Sequence, residues 1–400
     1  LNDLSDELAE YGPNLERRLG EDLLSYGVLD GKQYAIPARR SSTAHRTSFI
    51  RKDWLDMLGL DMPTNRDELV EVLKAFKEED PGDIGTDRVI PWGYFPPEST
   101  EFEPHSFRSF NAMYSFMEDD EELMYTTPWP LRDGFRDFME WNNMMYKAGL
   151  IDPEFATDTD DLAKQKIMNG QVGFYDWSWW GPASVGYGDV YRNLMKNMPG
   201  AELVPIEVFQ NSEGRYRKTM YPPIGLYNMN PATSDAEVAA IKYMNWMAEE
   251  EVGWIMSFGV EGEHYRLEDG VPIPIDPDHN QRTLGYVMGD LRIMWNGPFP
   301  VGKEIEDKVT ILNNGDLGEF SLASKNMAVR DGMSEIVFNE EIEAWSKHGP
   351  ELVKAYDEYW VKMVMADDFD AVYAEFMREL EDRGINEVLA DREAYYDRYF

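Results

Sequence analysis

Residues 49–82, "FIRKDWLDMLGLDMPTNRDELVEVLKAFKEEDPG", run a strand directly into consecutive helices. A strand around Phe49 and Ile50 leads to a short helix that Gly59 ends. Pro63 then precedes Thr64, read as an N-cap with Asp67 three residues on, and Leu69, Val72, Leu73 and Phe76 share one face of the next helix. Helices with one apolar face that follow strands bury that face on a sheet, so this stretch points to the α/β class.

The remaining segments agree. Leu4, Leu8 and Tyr11 have helical spacing until Pro13 breaks it, and "DGKQYAIPARR" reads as a turn and a short strand ending at Pro37. Residues 92–130, rich in proline, aromatics and acid, read as long loops with short helical pieces. "FRDFMEWNNMMYKAGLIDPEFAT" is a helix stopped at Gly149; "QKIMNGQVGFYDWSWW" is a helix end, a glycine turn and a strand carrying aromatics. "AELVPIEVF" and "YPPIGLYNMNPATS" hold further strands. Ser234 with Glu237 forms a capping-box pattern for the helix that follows, in which Trp246 and Trp254 read as core. Phe369, Val372, Tyr373, Phe376 and Leu380 make a stripe stopped by Gly384. With 400 residues the chain suits two lobes or one large enzyme.

Charge and composition exclude several classes. The 76 acidic against 38 basic residues, net −38, argue against nucleic acid and against an anionic membrane surface as direct partner. So much acid reads as solubility, or adaptation to a salty or alkaline medium. There is no cysteine, hence no disulfide, thiol nucleophile or Cys-ligated zinc. No apolar run approaches the roughly 20 residues of a membrane span. The chain opens at Leu1 without a signal region, so any targeting segment is expected to lie outside this sequence.

The strong enzyme signatures are missing. The five histidines, His45, His105, His264, His279 and His348, form no His-Glu-x-x-His pair and no metal-ligand spacing. No nucleophile elbow, phosphate loop or dinucleotide turn occurs. A pair of glycosidase carboxylates is defined in space rather than by spacing, so a carbohydrate-active enzyme stands as the alternative. In the loop from Asp80 to Val89 a calcium pattern would want oxygen donors where Gly82, Ile84 and Arg88 stand; Asp83 and Asp87 could offer a rearranged set for calcium, but an ordinary acidic turn with no cofactor is the expected reading.

The positive signal is aromatic. "FYDWSWWGPASVG" places Trp177, Trp179 and Trp180 beside Asp176 and ahead of a Gly-Pro break. Indole rings pack against the C–H faces of sugars, and a few polar groups in the ring plane meet the hydroxyls. The alternative is core packing. Strand alternation puts Trp177 and Trp179 on one face and Trp180 on the other, so at least one is expected in the core.

Together, "DGKQYAIP", "FIRKDWLDMLGLDMPTNRDELVEVLKAFKEEDP", "NMMYKAGLIDPE", "FGVEGEHYRLEDGVP" and "EFMRELEDRGINEVLADREAYYDRYF", in this order over nearly the whole chain, resemble the extracellular solute-binding proteins of family 1. The similar branch is the lipoprotein-like one that delivers oligosaccharides to ABC importers and includes alginate-binding proteins. The resemblance implies a periplasmic-binding-protein-like α/β fold with two discontinuous lobes and an interlobe ligand cleft. Residues 1–48 and 207–300 would form the N-terminal lobe, without its first strands, and residues 49–206 and 301–400 the C-terminal lobe. Crossing strands would lie near Phe49–Asp53, near Leu203–Ile206 and between about 295 and 320.

It further implies a non-catalytic monomer working with a membrane permease, extracellular or periplasmic and anchored through a lipidated N-terminus. Trp177, Trp179 and Trp295 would stack sugar rings, with Trp180, Tyr221 and Trp92 in support; Asp176, Arg46, Arg39 and Arg40 would meet hydroxyls or a carboxylate. Of Arg39, Arg40, His45 and Arg46, only Arg46 matches the alginate-binding relatives. The basic residues read equally as uronate ligands or as surface charges offsetting an acidic neighbourhood. A peptide-binding receptor on the same scaffold is the third class.

Overall fold

The computed structural model describes residues 1–93, 111–118, 120–285, 289–290, 293–296, 300–334, 336 and 338–400. The chain divides into two compact units, each assembled from separated segments.

The first unit comprises Leu1–Thr43, Tyr221–Gly318 and Val337–Glu340. In its three-stranded sheet Ala35–Arg40 is central, antiparallel to Ile224–Met229 and parallel to Trp295–Asn296. The central strand runs through Pro37 to Arg40, past the expected stop. A register shift at Ala38/Arg39 accompanies this, and irregular pairing is where a strand tolerates a proline. Leu4, Leu8, Leu15, Leu19, Ile36, Ile241, Met244 and Met247 pack its core. Helix Ser5–Tyr11 is followed at once by helix Pro13–Ser25, whose first position proline favours. The expected capping box at Ser234 is replaced: the helix starts at Glu237, and Ser234 Oγ accepts the Ala236 N–H at 3.2 Å.

The second unit comprises Ala44–Met220, Glu319–Ile336 and Glu341–Phe400. Its four-stranded sheet is ordered Ile90–Gly93, Val172–Ser178, Arg46–Arg51, Leu203–Ile206. The fully buried Arg46–Arg51 strand pairs antiparallel with both neighbours. Helix Arg66–Glu79 buries the four predicted residues, Leu69, Val72, Leu73 and Phe76. Its cap is Asn65, not Thr64: Asn65 Oδ1 accepts the Glu68 N–H at 2.9 Å, and the Thr64 hydroxyl donates to Glu68 Oε2 at 2.8 Å. Gly173 is required here, because a Cβ would lie 2.5 Å from Phe76 and 3.0 Å from Trp54. Helices Glu343–Met365, Phe369–Asp382 and Ile385–Tyr399 complete the unit. Buried Asn143 Nδ2 donates to the carbonyls of Met363 (3.0 Å), Val364 (3.0 Å) and Ala366 (2.8 Å), meeting the open C-terminal end of the first of these helices.

The unit limits differ from the expected lobe limits. Residues 207–220 belong to the second unit, where Glu207 pairs with Lys218 and Thr219–Met220 pairs with Met333–Ser334. Residues 301–318 belong to the first, where helix Lys303–Asn314 packs on the hairpin strand Val271–Pro274. Phe49–Asp53 and Leu203–Ile206, expected as crossings, lie wholly inside the second unit; the chain changes units at 43/44, 220/221, 318/319, 336/337 and 340/341.

Candidate functional site

The aromatic strand Val172–Ser178 lies beside Arg46–Arg51 with Arg46 opposite Ser178, Thr47 opposite Trp177 and Ser48 opposite Asp176. It ends at Ser178, where the Gly181 N–H closes a turn on the Ser178 carbonyl at 2.9 Å. Trp179 and Trp180 therefore lie in the turn, and strand alternation does not assign their faces, contrary to expectation. Trp179 N–H bonds the His45 carbonyl at 3.0 Å. Gly181 lies on the Trp177 ring, where a Cβ would come within 2.7 Å. Trp180 packs on Tyr187 with ring centroids 4.5 Å apart. All three indoles are partly exposed, in a chain that buries Trp54, Trp92, Trp295 and Trp360 completely.

Beneath them lies a buried polar knot. Ser48 Oγ donates to Asp176 Oδ1, while Asn111 Nδ2 donates to Ser48 Oγ at 3.1 Å and to Asp176 Oδ1 at 3.3 Å. Asp176 is 0 % exposed, and burial pushes its carboxyl up to about 7. The Ser48 bond, the Arg46 charge and the Asn111 bond oppose that shift. Asp176 and Arg46, expected to meet a ligand directly, are both buried, and the Arg46 charge acts on Asp176. Asn111 was not foreseen, because it falls in the stretch read as loops.

The other expected residues separate into core and surface. Trp92 is buried in the second unit against Trp141 (5.4 Å between ring centroids) and Phe174 (5.6 Å). Trp295 is buried in the first unit's core, opposite Arg39 on the neighbouring strand. Both indoles, expected to face a ligand, are buried within their units. Arg39 is exposed, and the Arg40 guanidinium sits 4.2 Å over the Tyr221 ring, covering one of its faces. Trp246, expected in the core, is 47 % exposed and stacks on Tyr243 at 5.8 Å. Trp254 is half-buried, with Nε1 donating to the Tyr265 hydroxyl at 2.8 Å.

Two features bear on metals. In the Asp80–Val89 loop both Asp80 oxygens are engaged by the loop itself, accepting the Ile84 N–H at 3.1 Å and the Gly85 N–H at 2.7 Å. Folding also brings together Glu263, His264 and His279, whose ligand atoms lie within 4.8 Å of one another, a grouping invisible at their sequence spacing. His264 Nδ1 accepts the Val260 N–H at 3.1 Å, so in the neutral ring Nε2 carries the proton and offers no lone pair to a metal.

Two discontinuous α/β units are consistent with the fold of a solute-binding protein. The chain belongs to the bacterial extracellular solute-binding protein family, whose model matches residues 1–254. Over 98 % of its length it is 23 % identical to the polygalacturonan/rhamnogalacturonan-binding protein YtcQ of Bacillus subtilis (strain 168), of which 75 % is covered. The alginate-binding protein AlgQ2, solved without calcium ion, superposes with a TM-score of 0.67 at 23 % identity, over 99 % of this chain and 82 % of that one. The ABC-transporter substrate-binding protein FusA of S. pneumoniae, in complex with kestose, gives 0.64 at 17 % identity, over 100 % and 83 %. Family and neighbours are binding proteins, and the family is extracellular.

Proposed function

We propose that this protein captures an oligosaccharide outside the cell and delivers it to the permease of an ABC importer, without catalysis. The carrying observation is the run Trp177, Trp179 and Trp180, partly exposed at the end of a strand whose interior is otherwise buried. Flat indole surface held on a rigid strand end suits the C–H faces of sugar rings. The names of YtcQ, AlgQ2 and FusA, two of which bind uronate polymers, support the ligand class. Exposed Arg39 offers bidentate donors to a carboxylate, which supports a uronate-containing ligand. Within this reading the protein acts as a monomer, binds no metal and is tethered by a lipid at an N-terminal segment.

The test is a thermal-shift and calorimetric screen of alginate, pectin, xylan and mannan fragments and of fructo-oligosaccharides. A binder gains RT ln(1 + [L]/Kd), about 2.7 kcal/mol at a hundredfold excess over Kd. Stabilisation without product supports the reading. Turnover of a glycan favours the carbohydrate-active enzyme, and stabilisation by peptides alone favours a peptide receptor; either overturns it.

A further inference from the structure

A small cavity inside the second unit opens beside the buried polar knot, between the strand Arg46–Arg51, Asn111 and the segments 206–209 and 216–218. Thr47 and Ser48, on its wall, stand opposite Trp177 and Asp176 in the sheet, so the cavity adjoins the strand that carries the aromatics. It leaves about 10 Å³ to the centre of a water-sized group, room for one such group and not for a sugar ring.

Two buried side chains on this wall have hydrogen-bonding capacity left over, of opposite kinds. Asn111 is 6 % exposed. Its Nδ2 is engaged by Ser48 Oγ and Asp176 Oδ1, which fixes the amide, and its acceptor end, Oδ1, has no hydrogen-bond partner. Lys218 supplies the donor. Its side chain is 3 % exposed, and its ammonium carries three N–H groups. Among the described residues its partner is Glu207 Oε1, while Arg330 pairs with Glu207 Oε2. One carboxylate therefore serves two cations, and Lys218 keeps N–H groups to offer. The Thr47 hydroxyl is already engaged, donating to the Ser324 carbonyl at 3.0 Å.

An occupant of this cavity has to donate to an amide oxygen and accept from an ammonium, within the space of one oxygen atom. A carboxylate cannot donate to Asn111, and a cation cannot accept from Lys218. A methyl group would leave both buried groups unpaired. A hydroxyl does both. We infer that the cavity is a subsite for a single hydroxyl oxygen, held between Asn111 Oδ1 and Lys218 Nζ: an ordered water in the free protein, and one hydroxyl of the sugar in the loaded protein. The second occupant rests on the oligosaccharide reading above. Stacking on indoles is tolerant of where a ring carries its hydroxyls, whereas this subsite selects for one hydroxyl position.

The first test is a high-resolution crystal structure of the free protein. A water within about 3.2 Å of both Asn111 Oδ1 and Lys218 Nζ is expected; the lack of an ordered oxygen bridging them overturns the inference, whatever any glycan does. The second test is calorimetry with trigalacturonate, or with the alginate, xylan, mannan or fructan fragment that stabilises the protein more. The double variant Lys218→Met/Glu207→Gln removes the ammonium without leaving a buried carboxylate unpaired, and is expected to bind about tenfold more weakly, equally at low and high salt. Undiminished affinity, or a loss that disappears as salt is raised, overturns the sugar hydroxyl as occupant. If no fragment binds the unsubstituted protein, the oligosaccharide reading falls, and the subsite then stands or falls on the bridging water alone.

Discussion

The Ser48 hydroxyl donates to the Asp176 carboxylate across two neighbouring strands, one residue before the partly exposed tryptophans begin. That bond sits in a fully buried pocket, so the charge on Asp176 and the order of the strand end are linked.

The first prediction concerns pH. The Asp176 pKa is raised in the folded protein, from 3.8 to about 7, so the unfolded state gives up its proton first. The contribution of Asp176 to stability is fully present below pH 3.8 and is lost as pH rises through about 7. At about 1.4 kcal/mol per pKa unit, the loss is on the order of 4 kcal/mol before relaxation of the pocket. Melting from pH 5 to 8 should therefore fall less steeply for Asp176→Asn than for the unsubstituted protein. Parallel curves would refute the assignment.

A second prediction separates binding indoles from core indoles. Trp180→Ala and Trp179→Ala should weaken oligosaccharide binding at least tenfold by calorimetry while moving the melting temperature little. Trp92→Ala should instead cost about 3–5 kcal/mol of stability, the usual cost of removing a large buried aromatic side chain. Equal loss of stability in all three would return the exposed cluster to a packing role.

Arg39 provides the third. Arg39→Ala should reduce affinity for uronate fragments several-fold, with little effect on neutral fructans, and the difference should shrink as salt is raised. Equal losses for charged and neutral ligands would show that Arg39 does not recognise a carboxylate.

The fourth concerns the C-terminal helices. Asn143 Nδ2 supplies three carbonyls at the end of helix Glu343–Met365, so Asn143→Leu should strand them and cost about 2–4 kcal/mol in denaturant unfolding. A cost below about 0.5 kcal/mol would show that water replaces the amide.

Much of the local structure was legible in the sequence because it depends on near neighbours. The face Leu69, Val72, Leu73 and Phe76, the stop at Gly59 and the strand through Phe49 and Ile50 all follow from periodicity and from glycine's freedom at positive φ, +65° at Gly59. Caps were less secure: Thr64 and Asn65 are adjacent, both can accept an N–H, and only the path of the chain selects Asn65. The family was also legible, because it is carried by ordered blocks along the chain rather than by any single contact.

Burial was decided by the tertiary structure. Trp92, Trp295 and Trp180 are the same side chain by composition, yet two lie in cores and one lies partly open, according to which strand or turn carries them. Trp179 and Trp180 escaped the alternation rule because the strand stops at Ser178, a stop set by the Gly181 turn. Asn111, 65 positions from Asp176, meets it only when distant segments pack. The sequence by itself determined the elements, the family and the aromatic supply. The fold decided which aromatics face outward and which charges are buried, because desolvation and contact depend on neighbours that chain spacing does not specify.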